Sequence, residues 1–118
     1  VSLAAKFNAL VEEQDQAELR GAVKAFRPLV GELEGVAASE VKAWFASALS
    51  SAEDGDVGLS DLAYQDRRRA MRALTDEARQ EAERVEARTR LLGSLLSTAG
   101  DVGLVALRLL VKGLVGGL

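Results

Sequence analysis

Apolar residues recur at helical spacing along most of the chain, and the balance between apolar and charged positions changes abruptly near residue 90. Leu3, Phe7, Leu10 and Val11 follow i, i+4, i+7, i+8, which predicts a first helix ending within Glu12–Gln16. Asp15 with Glu18 three residues on has the form of a capping box opening a second helix. That helix carries Leu19, Val23, Phe26, Val30 and Leu33, and Pro28 is expected to kink or split it. Val41, Trp44, Phe45, Ala48 and Leu49 predict a third helix, with Ser39 as its cap and the Trp44–Phe45 pair as a core anchor.

After a Ser/Asp/Gly-rich loop over 50–60, a long polar helical stretch is predicted over 60–99. Tyr64, Met71, Ala78, Val85 and Leu92 recur every seven residues, with Leu74 and Leu95 at the second apolar position. Arg67, Glu81 and Arg88 fill that second position elsewhere, which argues against a coiled coil and for a helix packed mainly at its ends. Thr75 offers a fresh N-cap that would break the helix in two. Arg72/Asp76, Arg79/Glu83 and Glu86/Arg90 are spaced for ion pairs along it.

From Leu91 onward the only charges are Asp101, Arg108 and Lys112. In the terminal helix Asp101, Val105, Arg108 and Lys112 form a polar strip, opposite Leu104, Leu107, Val111, Leu114 and Leu118. Such a face needs cover from the chain's own core, a protein partner or a lipid surface. The expected fold is therefore all-α: a compact bundle of four to five helices, with one long polar helix and an apolar C-terminal helix. It is read as one domain over 1–118, with N-terminal helices in 1–52, the charged helix in 60–99 and the apolar helix in 101–118.

One motif occurs twice. Leu49-Ser50-Ser51-Ala52 followed by Gly55-Asp56-Val57-Gly58-Leu59 is echoed by Leu96-Ser97-Thr98-Ala99 and Gly100-Asp101-Val102-Gly103-Leu104. Each copy reads as a helix end, a glycine able to take positive φ, and an aspartate capping the next helix.

Composition narrows the chemistry. The chain has neither cysteine nor histidine, which removes thiolate chemistry, disulfides, the commonest general base and the commonest metal ligand. No two carboxylates are placed in an apolar setting that would split their pKa values, so a non-enzyme without cofactor is expected. The Asp54–Gly58 loop alternates carboxylates as a calcium loop does, but its sixth position is Leu59 and its twelfth Gln65, so no metal site is assigned. Val1–Val11 shows no signal-peptide pattern, and a cytoplasmic location is expected.

Residues 1–64 carry a net charge of −6 and residues 65–118 a net +3. Arg67, Arg68, Arg69 and Arg72 form the densest basic cluster, but consecutive positions fan around a helix and Asp61, Asp66 and Asp76 dilute the field. Nucleic-acid binding through Arg67–Arg72 is thus disfavoured. The expected function is a non-catalytic protein–protein interaction or assembly module, homo-oligomeric or bound to another protein. Leu104, Leu107, Val111 and Leu114 are its predicted apolar contacts, and Arg68 and Arg72 its contacts to an acidic partner. The alternative is a peripheral membrane protein that inserts its C-terminal helix, with Arg108 and Lys112 at the headgroups.

Overall fold

Seven α-helices and a terminal helical turn form the molecule in the computed structural model, which describes residues 2–54 and 58–116 (for 58–60, the backbone alone). The helices are α1 (Leu3–Glu13), α2 (Ala17–Lys24), α3 (Arg27–Leu33), α4 (Ala38–Glu53), α5 (Gly58–Arg72), α6 (Asp76–Ala99) and α7 (Asp101–Leu110). Val111–Val115 continues α7 as a wider π-helical turn. No strand occurs among the described residues. The all-α bundle is as the apolar spacing predicts. Two splits raise the helix number above four to five.

Pro28 causes the first split. It sits in the first turn of α3, where its missing N–H costs nothing, and α2 ends just before it. Thr75 marks the second. Its hydroxyl accepts from the Ala78 amide at 3.1 Å, and the expected 60–99 helix becomes the antiparallel pair α5 and α6.

Three expected caps shift. The chain around Asp15 stays extended and α2 opens after Gln16 with no side-chain cap, so the Asp15–Glu18 capping box does not form. The Arg20 guanidinium instead donates to the Gln14 carbonyl. Ser39 lies inside the first turn of α4, whose cap position is Ala37. Gly100, at φ +65°, turns the chain between α6 and α7, and Asp101 is the first helical residue, where its charge suits the helix dipole. The matching Gly55–Val57 turn and its calcium-like loop lie outside the described residues.

The core is built at the end of the molecule where both halves of the chain meet. Phe7, Phe26, Phe45, Leu29 and Leu33 pack there with Leu92, Leu107, Leu110 and Leu114, all essentially buried. Trp44 joins Phe45 with ring centroids 5.1 Å apart. The terminal turn reaches α1 closely: a Cβ on Gly113 would stand 3.1 Å from the Leu10 side chain. Glycine at 113 therefore serves close packing against α1. Beyond this core α5 and the first half of α6 make a hairpin arm, in a molecule measuring 48 × 33 × 19 Å.

Candidate functional site

The tail's apolar face is occupied by its own chain. Leu107 and Leu114 are fully buried, and Leu104 and Val111 are half-buried against the same core. Leu107 and Leu114 thus belong to the chain's own core, and Leu104 and Val111 keep part of their surface at its edge. The buried stripe of α7 is centred on Gly103, Ala106, Leu107 and Leu110, about a quarter-turn from the one read in the sequence, and the N-terminal helices cover it. The strip Asp101, Val105, Arg108 and Lys112 faces solvent as expected, and Arg108 donates to Glu53 at 3.1 Å, tying the tail to the end of α4. Among the described residues no helix is long and apolar enough to cross a membrane.

Arg68 and Arg72 are exposed on the outer face of α5. Tyr64, Arg68, Met71 and Arg72 are spaced i, i+4, i+7, i+8 and share one stripe, running toward the turn that carries Leu74. Met71 is 77 % exposed and Leu74 99 %, the two most exposed large apolar residues described. The Arg68 guanidinium lies 5.8 Å from the Tyr64 ring centroid. Neither Arg68 nor Arg72 has an ion pair among the described residues. The break at Thr75 separates Arg72 from Asp76, and of the three expected i, i+4 pairs only Glu86–Arg90 closes.

The inner face of α5 is Leu62, Asp66 and Ala70, continued by Ala73 just past its end, a stripe too small and polar for hydropathy to reveal. It meets Ala82, Val85, Glu86 and Thr89 of α6. A chain of polar contacts crosses this seam. The Trp44 indole donates to Thr89 at 3.3 Å, and the Thr89 hydroxyl, shared with the Val85 carbonyl at 2.8 Å, donates to Asp66 at 3.3 Å. Asp66 also accepts from Arg69 at 3.4 Å. Burial raises the Asp66 carboxyl above its usual range, against the pull of Arg69 and the Thr89 hydrogen bond. Glu86 takes Arg67 of α5 at 2.9 Å, an ion pair between the two helices, and Arg90 one turn further along α6.

Where α4, α5 and α6 meet, a cleft of about 340 Å³ opens beside this chain, lined by Trp44, Asp66, Arg69, Arg88 and the carboxylates of Glu40 and Glu81. Arg88 is only 4 % exposed and lies with its guanidinium 5.5 Å from the Trp44 ring centroid. Its Nε has no hydrogen-bond partner, and it makes no ion pair among the described residues. Desolvation lowers its pKa, opposed by Glu81, Glu32, Glu40 and Asp66. In the sequence Arg88 reads only as a polar interruption of a heptad, so nothing there signals a buried guanidinium.

On the opposite side of the tail, α2, the end of α6 and α7 enclose a shallow apolar groove. Leu19, Ala22, Leu95, Val102 and Val105 line it, and its charged groups are Glu18 and Asp101, with no basic residue. Among the described residues no three carboxylates gather to hold a metal ion. Comparison with models of known protein families, with curated proteins and with solved structures gives no match for this chain.

Proposed function

We propose that the chain is a non-catalytic, self-assembling interaction module that uses its hairpin arm in place of its tail. The carrying observation is the outer stripe of α5. The far end of α5 and its turn present Met71 and Leu74 to water, flanked by Tyr64 and two arginines without carboxylate partners among the described residues. Aromatic, methionine and arginine side chains are the types enriched at interface centres, while isolated exposed ion pairs contribute little to folding.

The receiving surface has the opposite sign. Glu18 and Asp101 rim the α2/α6/α7 groove, whose floor of Leu19, Val102 and Val105 matches the apolar tip, and the acidic balance of residues 1–64 supports the same pairing. Two copies exchanging arms into each other's grooves make a closed two-fold dimer in which each charged face meets its complement.

The test is the absolute mass of the full chain by light scattering. A discrete dimer is expected, with Arg68→Glu/Arg72→Glu and Glu18→Arg/Asp101→Arg each giving a monomer of unchanged helicity. Combining the four substitutions in one chain restores the dimer. A wild-type chain that stays monomeric up to about 1 mM overturns the proposal.

A further inference from the structure

We infer that the cleft between α4, α5 and α6 binds a small zwitterion of the α-amino-acid class, its carboxylate received by Arg88 and its ammonium by Glu40 and Glu81. A guanidinium carries five donors, and a buried one is ordinarily matched by carboxylates or carbonyls because leaving its donors unmade is costly. Here 96 % of Arg88 is out of water, Nε is sealed and unbonded, and the guanidinium lies against the Trp44 ring with no hydrogen bond or ion pair among the described residues. The terminal Nη groups also make no hydrogen bond and, unlike Nε, are not sealed, so they are the donors a ligand carboxylate in the adjoining cleft engages, in the forked geometry that arginine favours.

A simple anion fits the rest of the lining poorly. Asp66 and Arg69 are engaged with each other at 3.4 Å, and Asp66 further accepts from Thr89. Glu40 is unpaired among the described residues, and Glu81 gives only Oε2 to Arg84, at 3.4 Å, which leaves its Oε1 open; each acts on Arg88 electrostatically and neither is bonded to it. These two carboxylates repel a bare anion and attract an ammonium. A carboxylate and an ammonium on one small molecule satisfy both sides. Ala43, Leu62 and Val85 complete the lining with apolar surface, which suits an aliphatic side chain, and about 340 Å³ accommodates a ligand of that size.

Trp44 is the only tryptophan in the chain and lines the cleft, so its fluorescence reports occupancy directly. The full chain is titrated with leucine, with 4-methylpentanoate, which keeps only the carboxylate, and with leucinamide, which keeps only the amine. Leucine is expected to give a saturable change with half-saturation near or below about 1 mM, and the other two to bind at least about tenfold more weakly. Arg88→Met abolishes the leucine response, and Glu81→Gln, a change at the cleft rim that leaves the core untouched, weakens it. Circular dichroism verifies that both variants fold. No saturable response to leucine overturns the site, as does an equal response in folded Arg88→Met. Binding of 4-methylpentanoate or leucinamide as tight as that of leucine overturns the zwitterion assignment.

Discussion

Asp66 keeps its carboxylate nearly out of water, 2 % exposed, between a threonine hydroxyl and one arginine. Burial disfavours its charged form, so the folded chain holds the proton more tightly than the unfolded chain, whose aspartate titrates near 3.8. With the folded value raised, the stability gained from this site is complete below 3.8 and is lost as the pH rises through the folded pKa. Asp66→Asn keeps a neutral acceptor for Thr89 at every pH. Its urea midpoint should equal or fall below that of the wild type in acid and gain on it steadily as the pH rises, before levelling off. Paired denaturation curves from about pH 3 to about pH 8 check this, and a constant difference would show that burial does not control the group. At this scale the sequence is legible where a residue is large and apolar. Trp44 and Phe45 read as core anchors and are 7 % and 0 % exposed. It is silent where a charge is buried, because Asp66, Glu86 and Arg88 look like any solvated helix position until α4 and α5 close over them.

In the arm, period and packing part company. The seven-residue recurrence of Tyr64, Met71, Ala78, Val85 and Leu92 continues across the Thr75 break, yet Tyr64, Met71 and Ala78 face solvent while Leu92 is buried. A heptad pattern records spacing along the chain and cannot say whether one axis carries it. The side chains that do pair α5 with α6 are Ala70, Ala73 and Ala82 with the Asp66–Thr89 contact, a seam of close backbone approach rather than of large apolar groups. So thin a seam depends on its ends. Thr75 supplies the cap that restarts the helix, with Asp76 and Glu77 in the first turn complementing its dipole. Thr75→Ala should cost about 1 kcal/mol in urea denaturation, and Thr75→Ser should recover most of it. An equal loss in both variants would place the effect in the methyl group and not in the cap. The capping rule that succeeds at Thr75 fails at Asp15 and Ser39. α2 opens after Gln16 and α4 after Ala37, neither with a side-chain cap, so the local signal yields at both places.

Across the whole molecule, the two halves of the chain close on each other, with the terminal turn against α1 and α7 against α2. This closure answers a question the tail's pattern leaves open, since an apolar stripe states that it must be covered and not by what. It also separates two kinds of apolar surface, the buried stripe of the tail and the exposed tip of the arm. Leu107 is fully buried in the core, so Leu107→Asp places a charge where no partner waits and should cost about 4 kcal/mol or more, a large part of the roughly 5–15 kcal/mol that holds a domain together. Met71→Asp and Leu74→Asp, on the exposed arm, should leave folding within about 0.5 kcal/mol of the wild type. Hydrogen exchange reads the same division without mutation. The arm buries alanines, polar groups and ion pairs, whereas the base buries three phenylalanines and a row of leucines. Amides of α5 and the first half of α6 should therefore exchange through a low-energy local opening, and those of α4 and α7 only on global unfolding. Raising the salt concentration should accelerate the arm selectively, because Arg67 and Arg90 on Glu86 are the contacts that screening weakens. Uniform protection along α6, from Asp76 to Ala99, would mean that arm and base unfold as one unit.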